Sequence, residues 1–386
     1  LSALLKSRDE LRLCIFPNDP IIAYYKKGEI KERYFNPNNF FDEIHIISFI
    51  DNDIEESKIQ KTVGDAKLKI HSVGKISIKD RTKYIDKIVD LVKSINPIVI
   101  RTYNPYLEGW FAAKCSEQLG IPLFLSLHTQ YDQNRKNVKK TNFKKFLGLK
   151  YTEKFIEPHV LKTAKKITVI YKIIFPYVAK HTKMEPELLY NKVDCERFAI
   201  AQPMTNLQGP LILSVGSLIK EKNHQCIIEA MKDLKASLII IGNGVEYKNL
   251  LKIIEKKDLG DKIKIIQSVP HDKIQEYYKS ATLFALAYDP EQESLPVPVM
   301  EAMAAGLHVV LPFPNEKFSD GLEEIAVFSS RDPASFHEKI KDVLEDEKLQ
   351  KELGRRSQIK AQEFDISTLE KREAEIYSEL IDASND

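Results

Sequence analysis

Residues 211–244 read LILSVGSLIKEKNHQCIIEAMKDLKASLIIIGNG. Two short apolar runs, Leu211–Val215 and Ser237–Ile241, flank a segment with helical periodicity, and a glycine follows each run. Continuous apolar strands such as LIII are expected where helices cover both faces of a parallel sheet. The same alternation extends in both directions. Towards the C-terminus, strands are predicted at Lys262–Ile266, Leu283–Ala287, Val309–Leu311 and Ile325–Phe328. Towards the N-terminus they are predicted at Leu11–Phe16, Ile44–Phe49, Ile98–Thr102, Leu123–Leu127 and Ile167–Tyr171. Between them, Ile85, Ile88, Val89 and Val92 repeat at i, i+3, i+4 and i+7, one apolar stripe facing a sheet. The fold class is therefore α/β, with two doubly wound Rossmann-like domains.

The 386 residues agree with that reading, since one core seldom grows beyond roughly 250–300 residues. The polar stretch AQPMTNLQGP, residues 201–210, carries Pro203, Gly209 and Pro210 and has linker chemistry. It predicts an N-terminal domain over 1–203 and a C-terminal domain over 204–364. Residues 365–386 read as a closing helix, with a return to the N-terminal domain as one course for it.

Hydrophobic residues at 43% and charged residues at 30% exclude a disordered or fibrous chain. Lys+Arg minus Asp+Glu is 58 − 56 = +2, which argues against bulk nucleic-acid binding. No apolar run approaches the ~18–20 residues that cross a bilayer. The opening LSALLKSRDELRLCIF starts with Leu1 rather than Met and is charged too early for a secretory signal. Cys14, Cys115, Cys195 and Cys226 form no CxxC pair, which argues against zinc or a disulfide scaffold and for a cytoplasmic location.

One segment departs from this balance. From Arg135 to Lys154 there are eight basic residues and one acid, Glu153, interleaved with Phe143, Phe146, Leu147 and Tyr151. Such a stretch suits a peripheral position on the anionic inner face of a membrane, or an ordinary solvated helix packed on its own domain.

Ligands of open parallel sheets bind beyond the carboxyl ends of the strands. Three segments fall there. After Leu211–Val215, Gly216 permits a sharp turn, Ser217 offers a hydroxyl and Lys222 a point charge for a phosphate. After Ser237–Ile241, Gly242-Asn243-Gly244 permits close approach of an anion, or serves as a tight packing turn; the third glycine of the dinucleotide fingerprint is absent. The third is Glu293-Ser294-Leu295-Pro296-Val297-Pro298-Val299-Met300-Glu301, with a helix predicted over roughly Pro298–Ala305 and Gly306 at its end. Two carboxylates do not attract phosphate, so their use is hydrogen bonding to paired hydroxyls of a sugar or a ribose. The alternative is a capping acid and a mid-helix acid on a polar face.

The stretch QESLPVPVMEAMAAGLHVV, residues 292–310, resembles the E-x7-E signature of the family 4 (group 1) retaining glycosyltransferases of GT-B fold. LILSVGSLIKEKNHQCIIEAM, SLIIIGNGVEYKNLLKII and KIKIIQSVPHDKIQEYYKSATLFALA resemble the donor-domain units before that signature. NPYLEGWFAAKCSEQLGIPLFLSLHTQYD resembles the family's approach to a His-containing loop, and LLYNKVDCERF its interdomain sequence. The resemblance implies a nucleotide-diphosphate sugar as donor, no other cofactor and no bound metal. It implies that Glu301 bonds the ribose, Glu293 the transferred sugar, and amides near Ser294 and Leu295 the distal phosphate. Lys222 would neutralise the departing diphosphate as a catalytic group, with Gly216 and Ser217 beside it. Asn243, Gly244 and Val269 would line the nucleotide, and His128 would face the transferred sugar. The acceptor would be a glycan or a lipid-linked sugar, within polysaccharide or glycoconjugate biosynthesis. On the acceptor side, Lys26, Lys27 and Gly28 of the first βα loop, with Asn104 and Tyr106, are candidate contacts.

Three departures stand out. Ser217 occupies a position where the family often has Arg, Ser294 follows Glu293 in place of Gly, and LPFPNEKFSDGLEEIAVF replaces a glycine-rich loop. They motivate a second reading, a catalytically degenerate nucleotide-sugar-binding scaffold; a sugar epimerase or phosphorylase is a further enzyme class on the same GT-B fold.

Overall fold

The computed structural model describes residues 10–28, 30–204, 209–270 and 272–384. The opening residues Leu1–Asp9 and the middle of the expected linker, 205–208, lie outside the described residues. Among the described residues there are two all-parallel sheets. The first contains β1 (Arg12–Phe16), β2 (Glu43–Ser48), β3 (Lys67–Ser72), β4 (Val99–Thr102), β5 (Leu123–Leu127), β6 (Lys166–Val169) and β7 (Glu187–Leu188), in the order β3-β2-β1-β4-β5-β6-β7. The second contains β8 (Leu211–Val215), β9 (Ser237–Ile241), β10 (Ile263–Ile266), β11 (Leu283–Ala285), β12 (Val309–Pro312) and β13 (Ala326–Ser329), in the order β10-β9-β8-β11-β12-β13. In each sheet the chain reverses direction beside its first strand, the topology that opens a ligand crevice at the carboxyl edge.

Eleven of these strands coincide with predicted runs; β3 and β7 do not. β3 is an edge strand whose burial alternates around Leu68, and β7 is two residues long, so neither presents a continuous apolar run. The helix Ile85–Ile95 buries Ile88, Val89, Val92 and Ile95, which extends the expected stripe by one turn and leaves Ile85 half-buried.

Contacts divide the chain into two units. One comprises the residues up to Ile170, Ile174–Leu189 and those from Glu370 onward; the other comprises Tyr171–Ile173 and Tyr190–Leu369. The expected boundaries at 203/204 and 364/365 therefore differ from those in the structure. Residues 190–203 join the second unit because Phe198 packs edge-on against Tyr278, with ring centroids 5.4 Å apart. The Cys195 amide also donates to Asp365 at 3.1 Å. Proline and glycine mark where the chain is polar and exposed, which is not where core contacts change hands.

Within the first unit the C-terminal helix completes the core. Ile376, Tyr377, Leu380 and Ile381 pack with Leu13, Ile15 and Phe124. Arg101 of β4, 4% exposed, is bonded to Glu373, donates to the Tyr377 hydroxyl at 2.7 Å and to Ser126 at 3.1 Å. Removing one partner of such a buried pair leaves an uncompensated charge. Glu373→Ala is expected to lower first-unit stability by about 3–5 kcal/mol in urea unfolding, and Arg101→Leu combined with Glu373→Leu to recover most of that loss.

Candidate functional site

In the second unit, the turns after β8 and β9 are pressed together backbone to backbone. Gly216 donates to the Ile241 carbonyl at 3.0 Å, and the Leu218 amide to the Asn243 carbonyl at 2.9 Å. A Cβ on Gly242 would lie 1.9 Å from the Gly216 carbonyl oxygen, and one on Gly244 2.3 Å from that of Leu218. Only glycine fits at either position. Asn243 is exposed between them, its side-chain oxygen accepting from the Gly244 amide at 2.8 Å and from Gln267 at 3.4 Å. Beneath the turn, His224 is buried and bonded to Ser214 at 3.1 Å, and burial pushes its ring down to about 4.

The lysine of the first segment meets the first glutamate of the third. A short 3-10 turn, Lys220–Lys222, carries Lys222 inward, and its ammonium donates to Glu293 at 2.6 Å. The Lys222 side chain is 11% exposed and that of Glu293 35%, so one face of the pair remains open to solvent. A second stitch, Asp289 amide to Glu221 carbonyl at 2.9 Å, holds the same two loops together. The Glu293 amide is used internally, donating to the Asp289 carbonyl at 3.3 Å. Ser294 and Leu295 are buried, and the Ser294 carbonyl accepts from Tyr288 at 3.0 Å.

The helix expected over Pro298–Ala305 is Val297–Ala304, with Pro298 in its first turn and Gly306 just past its end at φ +82°. Glu301 lies one turn in and accepts from the buried Tyr278 hydroxyl at 2.8 Å. Burial and the Glu301 charge push that hydroxyl well above its ordinary range, so it stays a donor. Tyr278 was not singled out from sequence; in the run Tyr277-Tyr278 only the helical phase tells which ring turns inward. The loop after β12 is tied down by Asp320, which accepts from Tyr190 at 2.9 Å. Burial raises the Asp320 carboxyl, and Ser294, Tyr190 and Lys172 oppose that rise.

The structure thus brings Gly216, Asn243, Gly244, Lys222, Glu293, Ser294, Leu295 and Glu301 to the loops at the carboxyl edge of one sheet. Exposed Ser217 and half-buried Val269 sit on the same set of loops.

The remaining candidates belong to the first unit. His128 follows β5, its ring 5.4 Å from that of Tyr103. Burial and the Arg101 charge hold it near 4, so it is neutral at physiological pH. Asn104 follows β4 and is buried, its side-chain oxygen accepting from the Tyr106 amide at 2.8 Å; Tyr106 lies against Tyr131. Lys26, Lys27 and Gly28 are not in a loop at a strand end. They form the last turn and left-handed cap of the helix Ile21–Lys27, where lysines complement the helix dipole. Sequence reading also passed over Glu108, because an acid in a first helical turn reads as an ordinary dipole partner. Burial, with Asp19 adding to it, pushes this carboxyl up to about 7.

Two open parallel sheets, one of them carrying a lysine and two glutamates at its carboxyl edge, define the chain as an α/β protein of GT-B fold. Residues 197–360, most of the second unit, match the family model of glycosyl transferases group 1. The chain is 36% identical over 136 residues to the amylovoran biosynthesis glycosyltransferase AmsK of Erwinia amylovora, covering 33% of this chain and 31% of that protein. It is 30% identical over 190 residues to the N-acetylgalactosamine-N,N'-diacetylbacillosaminyl-diphospho-undecaprenol 4-alpha-N-acetylgalactosaminyltransferase of Campylobacter jejuni, covering 46% and 50%. The matched stretch thus spans a third to a half of these curated relatives. Anabaena Alr3699/HepE, solved with UDP and glucose, superposes with a TM-score of 0.70 at 15% identity, over 96% of this chain and 100% of that one.

Two outcomes follow from this geometry. Tyr278→Phe should lower second-unit stability by about 1–2 kcal/mol in urea unfolding, the loss of its hydrogen bond to Glu301. The buried His224 and His308 are both held near 4, so the unfolded state takes up their protons first as pH falls. Second-unit stability should be fully present above about 6.5 and decline between about 6.5 and 4, by on the order of 2 kcal/mol per histidine in urea melts across that range.

Proposed function

We propose that the chain is a retaining, metal-independent glycosyltransferase that moves a sugar from a nucleotide-diphosphate sugar to a lipid-linked or glycan acceptor. It would act at the cytoplasmic face of a membrane, in polysaccharide or glycoconjugate biosynthesis. The observation that carries this reading is the Lys222–Glu293 pair, 2.6 Å apart, within the segment that matches the group 1 family. Two further supports concern the substrates. The Campylobacter relative is named for an acceptor on diphospho-undecaprenol, and the Anabaena neighbour was solved with a nucleotide and a sugar.

Cleavage of the sugar–phosphate bond builds negative charge on the diphosphate and positive character at the anomeric carbon. Preorganised donors aimed at the growing charge supply the largest share of such catalysis. In our reading the diphosphate engages the ammonium of Lys222, and Glu293, partly released, accepts hydrogen bonds from the transferred sugar. Glu301, fixed by Tyr278, takes the ribose hydroxyls. His128, neutral in its setting, is suited to hydrogen bonding a hydroxyl rather than to supplying a charge. The acceptor oxygen bonds to the anomeric carbon on the face the diphosphate leaves, and its proton passes to the departing phosphate oxygen. The charge is met by Lys222 and backbone amides, so the only cosubstrate is the nucleotide sugar.

Lys222→Ala and Glu301→Ala should each lower turnover about 10²- to 10³-fold with unchanged far-ultraviolet circular dichroism. Turnover should survive EDTA, and proton NMR of the product should show the anomeric configuration of the donor. Full activity in both variants would overturn the site; inversion or loss of activity with EDTA would overturn the corresponding part of the mechanism.

A further inference from the structure

The basic segment folds as two helices, Tyr131–Thr141 and Phe143–Phe155, joined at Asn142, whose side chain caps the second. The second helix contains Phe143, Phe146, Leu147, Leu149, Tyr151 and Phe155, yet the only residue it buries is Thr152. Phe143 is 59% exposed, Leu147 55%, Tyr151 40% and Phe155 53%. A helix in a globular unit normally turns such residues inward, and contiguous exposed apolar patches mark interaction sites. These four are spaced four apart, so they lie about 40° from one another around the axis and sweep about 120° of it. Thr152 and half-buried Leu149 occupy the opposite side.

Charge identifies the occupant. Lys144 and Lys154 fall within the exposed arc and Lys150 at its margin, while Lys136 lies midway along the preceding helix and Lys139 and Lys140 in its last turn. Lys139 lies 5.7 Å over the Phe146 ring and Lys154 5.2 Å over that of Phe155, so apolar and cationic groups are interleaved. The one acid, Glu153, is on the far side, paired with Lys150 at 2.5 Å and Arg135 at 3.6 Å. A second copy of the chain would bring the same lysines against themselves. An anionic bilayer satisfies both features, with rings at the acyl boundary and ammonium groups among phosphates. The helix is also held firmly to its unit: Arg81 donates to the Tyr151 hydroxyl at 3.1 Å and lies 5.1 Å over Trp110. Among the described residues no helix is long and apolar enough to cross a membrane.

We propose that the Phe143–Phe155 helix is an interfacial docking surface for a bilayer rich in anionic phospholipid, with Phe143, Leu147 and Phe155 entering the headgroup layer. Its purpose rests on the lipid-linked-acceptor reading above; its evidence does not.

The test is co-sedimentation of the full chain with vesicles of phosphatidylcholine alone or of phosphatidylcholine mixed with phosphatidylglycerol. The wild type should pellet with the mixed vesicles and stay in solution with the neutral ones. Changing Lys139, Lys140, Lys144 and Lys145 to Gln should weaken partitioning at least tenfold. The triple change Phe143→Ser, Leu147→Ser and Phe155→Ser should abolish it, while nucleotide-diphosphate affinity stays at the wild-type value in both variants. Equal pelleting of wild type and variants, or no pelleting of the wild type, would overturn the proposal. So would self-association in sedimentation velocity that the triple change removes, since a second copy would then cover the face. Vesicle binding without transferase activity would uphold the docking surface and sink the enzymatic reading.

Discussion

A lysine ammonium that is nine-tenths sheltered must have a carboxylate, and the second unit is arranged around meeting that demand. Lys222 is carried inward by the turn after β8, and the carboxylate comes from the loop after β11. The neighbouring residues, Glu221 and Asp289, join the same loops through a backbone hydrogen bond. With these two stitches and the Tyr288–Ser294 bond in place, the loop delivers Pro296 and Pro298 at the angle that starts the helix bearing Glu301. The pair is firm enough to set the loops. Because Glu293 keeps about a third of its side chain in water, its removal from Lys222 is cheaper than the opening of a fully buried pair. An anionic ligand can therefore take Glu293's place on the ammonium without exposing an unpaired cation.

The turns after β8 and β9 impose a second, purely steric condition. Carbonyl oxygens of Gly216 and Leu218 stand where Cβ atoms of residues 242 and 244 would be. The sequence Gly-Asn-Gly is thus demanded by packing of one turn on the next, whatever binds above it. The two readings open for that motif, packing turn and anion contact, are not alternatives: the packing lowers the turns and leaves Asn243 projecting from the edge.

Most of the architecture was legible because buried parallel strands leave continuous apolar runs, as in Leu211–Val215 and Ser237–Ile241. The polar edge strand Lys67–Ser72 leaves none. Lys222, Glu293 and Glu301 were legible individually, but their links were not. Lys222 and Glu293 are 71 positions apart, and nothing at either position announces the other. The Tyr278–Glu301 bond depends on which of two adjacent tyrosines faces inward. The Lys26-Lys27-Gly28 run misled because a loop and a helix end share the same residues; only the observed helix Ile21–Lys27 shows that the lysines close it. The unit boundary misled for the reason that polar composition reports exposure and not contact.

The two sheets share a strand order around β1 and β8, so topology alone gives either one a crevice for an anion. Local charge separates them. In the first unit the amides of Ile21 and Ile22, which open the first helix after β1, are occupied by Asp53 at 2.8 and 2.6 Å, and Ser48 also donates to that carboxylate. A phosphate arriving there would meet a negative charge already bonded to the donors it needs. The first unit also keeps His128 neutral and raises Glu108 to about 7, so its strand ends carry groups suited to hydroxyls and protons rather than to diphosphate. In the second unit the corresponding turn after β8 ends in Lys222, a cation sharing its charge with a half-exposed carboxylate. The same backbone plan is therefore closed to anions in one unit and open in the other, and a handful of side chains in the loops, not the sheets, makes the difference.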